Sequence, residues 1–377
     1  MAKRNSRDRR NVRRKVQKKA ERISEGLPSL ELLTELPEFG QLRQTDEQMR
    51  AYVAYCADAE KPQDLALGCV VRLDRGYPAV LTQDETFRAE FAAQLTKSEF
   101  SRVAVGDWVA VRTPHGHDMG LIEKILPRKS DIARWKGGSR GEKQTLAANV
   151  DVVLVVQALE KGRFSLNRIV RSAVVAADCG AGVAVILTKC DLVDKSDVDE
   201  ALGCVRDVLG EGCPVVAISS VNAGSAELDG VRAMVPKGSV GIMLGPSGAG
   251  KSTLLNALLG REALETGSVR ESDGVGRHTT VARRMVAIPE AGVIVDEPGL
   301  RTLQMVGHER GLAKVFPDIA EAARGCRFRN CTHTHEPGCE VRARFGGDSN
   351  SVRLGAYLAL ANEMRDSAKT LDPDIVL

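Results

Sequence analysis

No run of apolar residues in this chain is long enough to cross a bilayer, which excludes an integral helical membrane protein. The N-terminus, MAKRNSRDRR, lacks the apolar stretch of a secretory signal. It also lacks the Ser-rich amphipathic pattern of an organelle transit peptide. A disulfide framework is missing too. The nine cysteines are odd in number, and Cys56, Cys69, Cys179, Cys190, Cys204 and Cys213 are irregularly scattered, as expected of free thiols in a reducing cytoplasm. There is no internal repeat of fixed period. What is present is ordinary for a soluble protein: 377 residues, 43% hydrophobic and 27% charged, enough for two or three domains with at least one sizeable core.

Charge is unevenly spread. Residues 1–22 hold eleven Lys or Arg against Asp8 and Glu21, a local +9 in a chain whose net charge is +3, so the other 355 residues sum to −6. This tail is expected to be disordered and suited to polyanionic RNA; without an aromatic residue it offers phosphate neutralisation rather than base stacking. Residues 1–62 as a whole read as a basic, largely disordered extension, with one short helix-like patch from Leu27 to Leu36 that Pro37 ends.

Residues 63–126 alternate short β-rich runs (LALGCVVRL, YPAVLT, WVAVRT, GLIEKIL) with Gly, Pro and Asp. Such spacing predicts a small barrel of about five strands, with an OB-fold as the leading candidate. Gly106-Asp107 reads as a turn entering a strand. Residues 127–149 have the composition of a mobile basic linker, with Gly137, Gly138 and Gly141 beside Arg134, Lys136, Arg140 and Lys143. From residue 150 the pattern becomes α/β. Apolar runs VDVVLVVQA, GVAVILT, PVVAIS, VGIML and GVIVD alternate with helical stretches at Leu166 to Ala177, Val198 to Leu209 and Lys251 to Leu259, which predicts a doubly wound parallel sheet.

The sequence GPSGAGKST, from Gly245, Pro246, Ser247, Gly248, Ala249 and Gly250 through Lys251, Ser252 and Thr253, follows the run VGIML and opens a helix. It matches the phosphate loop G-x-x-x-x-G-K-S/T in the strand–loop–helix context that pattern needs. Its glycines let backbone amides converge on phosphates, the helix N-terminus adds its dipole, Lys251 should reach the β- and γ-phosphates, and the Ser252 hydroxyl should bind magnesium. DEPGL follows GVIVD, so the Asp296 carboxylate is the candidate second ligand on the magnesium side and the Gly299 amide a candidate sensor of the γ-phosphate. Between them lies GVGRHTTV, where Gly274 and Gly276 permit movement and Thr279 or Thr280 could complete the magnesium shell when triphosphate is bound.

Guanine selection uses Asn-Lys-x-Asp after a strand, because its carboxylate accepts two hydrogen bonds that adenine cannot supply. Here GVAVIL runs into Thr188, Lys189, Cys190 and Asp191, with Thr in place of Asn. A further strand, PVVAIS, ends at Ser219 and Ser220, suited to reading the guanine carbonyl. The order is unusual: this loop at 188–191 precedes the phosphate loop at 245–252, whereas a conventional GTPase runs the other way. The G domain is therefore expected to be circularly permuted, which a packed sheet with neighbouring termini tolerates. Cys326, Cys331, His333 and Cys339 form C-x4-C-x-H-x5-C, a ligand set for a closed structural zinc site, with His335 a competing ligand or bystander. Arg324, Arg327, Arg329, Arg342 and Arg344 surround it, in keeping with RNA contact.

Taken in order over roughly residues 65–365, the barrel, LAANVDVVLVV, LTKCDL, GPSGAGKSTLLNAL, GRHTT, DEPGL and the cysteine motif resemble the ribosome small subunit-dependent GTPase A family. The resemblance implies an OB-fold, a permuted G domain and a C-terminal zinc domain. It further implies GTP/GDP, Mg2+ and one structural Zn2+ as cofactors. It implies GTPase activity stimulated by the small ribosomal subunit, binding to that subunit and its rRNA, and a role in its late maturation. Departures from the family pattern are Thr188, Glu297 where Thr or Ser is more usual, and the longer basic N-terminus. Leu300 stands where Ras-like enzymes place a water-orienting Gln, so intrinsic turnover should be slow; His278 is the candidate to position water. The expected segments are the 1–62 extension, a barrel at 63–126, a linker at 127–149, the permuted GTPase domain at 150–308 and a zinc-binding domain with a C-terminal helix at 309–377. A cytoplasmic monomer without membrane contact is expected. Two rival functions are a P-loop ATPase, in which TKCD is incidental, and a nucleotide-gated RNA-binding module with negligible catalysis.

Overall fold

The computed structural model describes residues 29–30, 35–74, 77–92, 95, 103–113, 119–136, 142–160, 164–262, 283–296, 307–347 and 351–371. The chain divides into two units, Met1–Glu35 and Leu36–Leu377. The basic tail and most of the apolar patch from Leu27 to Leu36 lie outside the described residues; the second unit carries everything below.

Helix α1, Asp46–Asp58, falls inside the stretch expected to be a largely disordered extension, and corrects that expectation for residues 46–58. It begins in a capping box: the Gln48 amide donates to Thr45 Oγ1 (3.2 Å) and the Thr45 amide to Gln48 Oε1 (2.9 Å). The Gln48 side chain is buried and donates to the Pro127 carbonyl and to Asn149 Oδ1, both at 2.9 Å, which fastens the helix where the chain leaves the barrel.

The barrel comprises β1 (Leu65–Asp74), β2 (Tyr77–Leu81), β3 (Thr86–Phe91), β4 (Trp108–Arg112) and β5 (Gly120–Ile125). Strand β1 pairs with both β2 and β4, β3 lies parallel to β5, and β4 is antiparallel to β5, so the sheet closes in the order β1-β2-β3-β5-β4. Its interior holds Val70, Val80, Phe87, Ala89, Val109, Val111 and Ile122. At the Gly106-Asp107 turn the Asp107 carboxylate is fully buried. It accepts from the Ala104 amide (2.8 Å) and from Arg128 through two bonds of 2.7 and 2.8 Å, a forked pairing that offsets the cost of burying the charge.

Residues 127–149 are not a plain linker. Strands β6 (Asp131–Lys136) and β7 (Glu142–Ala148) form a two-stranded antiparallel sheet, with Ile132, Leu146 and Ala147 buried. Gly137, Gly138 and Gly141, which suggested mobility for the whole segment, fall between the two strands and outside the described residues.

The α/β part contains β8 (Val152–Ala158), α2 (Leu166–Asp178), β9 (Gly182–Thr188), α3 (Lys195–Leu209), β10 (Val215–Ile218), α4 (Ser225–Ala233), β11 (Val240–Leu244), α5 (Lys251–Leu259), β12 (Arg283–Ala287) and β13 (Val293–Asp296). The strand order is β10-β9-β8-β11-β13-β12, parallel except that β12 runs against β13. Helix α2 buries Ile169, Val170, Ala173, Val174, Val175 and Ala176; each fully buried Val or Ile contributes about 1.5–3 kcal/mol. From β8 the chain moves to β9 on one side, while β11 lies on the other. That is a topological switch point, the place where open α/β sheets bind ligands. Strand β12 has a second neighbour: Arg284 and Leu73's partner Arg283 pair with β1, Arg72 standing opposite Arg284, so barrel and sheet join into one eleven-stranded sheet.

The C-terminal part holds α6 (Glu309–Val315), α7 (Pro317–Ala323), α8 (Glu340–Phe345) and α9 (Ser351–Leu371). Asp178 of α2 meets His308 Nδ1 at 2.9 Å and accepts from the Gly311 amide at 3.1 Å, pinning the start of α6 to the sheet's helical layer. Arg353 of α9 lies over the buried Phe316 ring (4.9 Å) and donates to Asp318 (2.8 Å), and Arg171 pairs with Glu363 at 2.5 Å. No helix among the described residues is long and apolar enough to cross a membrane.

Candidate nucleotide site and metal centre

Strand β11 is buried throughout and delivers the chain into Gly245 at the sheet's C-terminal edge. A Cβ on Gly245 would stand 2.3 Å from the Val156 carbonyl oxygen, so only glycine lets the loop leave the sheet this close to β8. At the other end Gly250 takes φ +82°, the left-handed conformation that turns the loop into α5, and its carbonyl accepts the first helical bond from Leu254 at 2.8 Å. Ser247 and Gly248 are exposed, while Ala249 is buried. The Lys251 ammonium donates to the carbonyls of Gly245 (2.7 Å) and Pro246 (3.0 Å), so it lies across the loop that its own helix follows.

Beside it, β9 ends in Thr188, which is fully buried. Its hydroxyl donates to the Ala249 carbonyl at 2.6 Å and approaches the Gln157 carbonyl at 3.3 Å. A residue that departs from the usual Asn therefore ties the 188–191 loop to the phosphate loop. Lys189 adopts φ +60° and pairs with Glu160, while Asp191 is exposed at the start of a short 3-10 turn, Cys190–Leu192. Burial, then the charges of Asp191 and Glu227, push the Cys190 thiol up, so it stays protonated. At the end of β10, the Ser219 and Ser220 hydroxyls are buried and have no hydrogen-bond partner among the described residues. Buried hydroxyls in folded proteins are nearly always bonded, so these two await an acceptor or donor. A cavity of about 700 Å³ is walled by Glu160, Asp191, Leu192 and Asp197, and not by the phosphate loop or the serines.

Asp296 closes β13 opposite Arg284 of β12, with Nε to Oδ2 at 3.9 Å. The structure thus brings Thr188, Lys189, Cys190 and Asp191, Ser219 and Ser220, residues 245–253 and Asp296 to the C-terminal ends of neighbouring strands. His278, Thr279, Thr280 and Gly299, with Gly274, Gly276, Glu297 and Leu300, lie outside the described residues. Glu160 and Arg284 were not foreseen; no motif marks either, and strand order alone brings them in.

Cys326, Cys331, His333 and Cys339 converge, with one ligand atom from each lying within 4.8 Å of all the others. A tetrahedral zinc with metal–sulfur bonds of about 2.3 Å sets its sulfurs about 3.8 Å apart. Cys326 and Cys339 Sγ are 3.9 Å apart, and each lies 3.5 Å from His333 Nδ1. The donor set and its spacing therefore fit such an ion. Burial holds the His333 imidazole below its ordinary pKa, keeping it in the neutral form that ligates metals. The Arg342 amide donates to Cys339 Sγ (3.4 Å) from the start of α8. Glu336 organises the preceding loop: its carboxylate accepts from the Thr332 hydroxyl (2.5 Å) and amide (2.7 Å) and from the Thr334 and His335 amides, which hold it well below the usual carboxylate range. His335 stays exposed beside Thr334, outside the cluster.

Loop order on this sheet defines a class: a circularly permuted GTPase, its phosphate loop following its specificity loop in the chain. The model of the RsgA GTPase family matches residues 125–306. Two proteins named small ribosomal subunit biogenesis GTPase RsgA are similar over most of their length. That of Streptomyces avermitilis is 41% identical over 310 residues, 82% of each chain. That of Streptomyces coelicolor is 40% identical over 331 residues, 86% of each. The chain belongs to the RsgA family of small ribosomal subunit biogenesis GTPases. Among solved structures, YjeQ from Thermotoga maritima superposes with a TM-score of 0.60 at 23% identity, covering 80% of this chain and 99% of that one. YloQ, a circularly permuted GTPase, gives 0.57 at 20%, covering 80% and 96%, and both likenesses concern the fold.

Proposed function

We propose that this GTPase acts in the late maturation of the small ribosomal subunit, binding the subunit and its rRNA in the GTP state and leaving after hydrolysis. The Thr188–Ala249 bond carries the assignment of the nucleotide site, because it couples a base-reading loop to a phosphate-reading loop at one sheet edge. In this reading the amides of residues 245–253 cradle the phosphates. Lys251 exchanges two neutral carbonyl acceptors for the stronger oxygens of the β- and γ-phosphates. Asp191 accepts from the guanine N–H groups, the Lys189 stem covers the ring, and Ser219 and Ser220 face its carbonyl. The Ser252 hydroxyl and Asp296 hold Mg2+, which supplies charge neutralisation at the phosphates. His278, Thr279, Thr280 and Gly299 keep the roles their positions in the sequence suggest.

Cys326, Cys331, His333 and Cys339 hold one structural Zn2+ in this proposal, and the exposed Arg324, Arg327, Arg329, Arg342 and Arg344 face rRNA. The segments 63–126, 150–308 and 309–377 act as barrel, GTPase and zinc domains of a cytoplasmic monomer. The relatives' names support the choice of partner. Leu300 offers no side chain to orient water, so the subunit is what completes the catalytic site. The test is GTPase rate against added small subunits, large subunits and bulk RNA. Small subunits alone should stimulate by about tenfold or more, some 1.4 kcal/mol of barrier, and binding should fall steeply with salt. Equal stimulation by all three, or none, refutes the proposal, and ATP competing equally with GTP would return the chain to the ATPase reading.

A further inference from the structure

At the edge of the sheet, β8 and β9 are in parallel register, Ala158 opposite Thr188. The pairing runs one step further: the Leu159 amide donates to the Thr188 carbonyl at 2.9 Å. Just beyond that bond stand Glu160 and Lys189, and their side chains form an ion pair. The pair is partly sheltered, with 25% of the Glu160 and 30% of the Lys189 side chain exposed. Lys189 itself sits at φ +60°, a backbone conformation that non-glycine residues hold only where their surroundings impose it.

We infer that Glu160 is a positioning residue for guanine binding: it holds the Lys189 side chain extended in the pose that covers the base. A free lysine stem carries four rotatable bonds, and immobilising it on ligand binding costs entropy. Here that cost is met during folding, because Glu160 directly follows Leu159, whose amide is bonded to Thr188, and the ammonium is held by Glu160. In this proposal Glu160 acts through Lys189, so its influence belongs to ligands that carry a base and not to the phosphates. The inference rests on the assignment of Lys189 to the base.

The experiment uses the full chain, fluorescent GDP and inorganic tripolyphosphate as a competitor without a base. Glu160→Gln should weaken GDP binding about three- to fivefold, the range of a partly exposed ion pair, through faster dissociation. Glu160→Lys, which sets two ammonium groups together, should weaken it tenfold or more. Tripolyphosphate competition should be unchanged in both, which also shows that the phosphate loop is folded. In a Lys189→Ala background, Glu160→Gln should have no further effect. Wild-type GDP binding by Glu160→Gln, or a loss that persists without Lys189 or extends equally to tripolyphosphate, overturns the inference while leaving the site assignment intact. Wild-type GDP binding by Lys189→Ala overturns the assignment of the loop, and the inference with it.

Discussion

Thr188→Val tests the join between the two loops most directly. The exchange keeps the shape of the side chain and removes one hydroxyl. That hydroxyl is fully buried and donates to Ala249 at 2.6 Å, where the acceptor residue is itself 1% exposed. No water can replace the lost donor, so the Ala249 carbonyl is left unsatisfied at a cost of about 1–3 kcal/mol. Part of this appears as lower stability of the apoprotein. The rest appears in nucleotide affinity, because Ala249 lies inside the phosphate loop, and a loop free to shift must be reordered by the ligand. A loss of about tenfold in GDP affinity corresponds to about 1.4 kcal/mol, within that range. Thr188→Ser retains the hydroxyl and should bind within about twofold of wild type, well under 1 kcal/mol. Fluorescent GDP titration, paired with urea unfolding of each apoprotein, separates the two contributions. A Val variant that binds GDP like wild type and unfolds at the same midpoint would refute the argument that this bond organises the site.

Asp191→Asn should weaken GTP binding and improve xanthosine triphosphate binding, since the amide complements the xanthine carbonyl; an unchanged preference in competition would sink the assignment of the TKCD loop. Lys251→Ala and Ser252→Ala should each lower turnover by an order of magnitude or more with the fold retained, read by phosphate release beside circular dichroism. Metal analysis should find one zinc per chain, and Cys331→Ala should release it and lower the stability of the C-terminal module, so that a metal-free protein of equal stability rules the site out.

How far was this molecule legible beforehand? The five strands β8, β9, β10, β11 and β13 coincide with apolar runs, and α2, α3 and α5 with helical stretches; in β8 and β11 burial on both faces writes itself into consecutive residues. The clustering of Cys326, Cys331, His333 and Cys339 was legible for a different reason: four donors within fourteen residues leave few ways to arrange them. Strand β12 was missed, since RRMVA opens on two arginines and offers only a three-residue apolar run. Helix α1 was missed although Thr45 and Gln48 form a capping box, because its weakly apolar face gave no periodic signal. The β6–β7 pair was hidden by its glycines, which describe the connection and not the strands.

The order of the loops is a property of the chain, and the sequence by itself determined it: specificity loop, phosphate loop, DEPGL, cysteine cluster. Each motif is a short stretch whose backbone and hydrogen-bonding demands are local. Which motifs touch was decided only by tertiary structure. Gln48 meets Asn149 across 101 positions, Thr188 meets Ala249 across 61, and Glu160 meets Lys189 across 29. Arg284 stands opposite both the barrel's Arg72 and Asp296 only because β12 is inserted between β1 and β13. Such neighbours follow from strand order and register, and these emerge when distant segments close on one another and bury apolar area together. No local pattern encodes that closure.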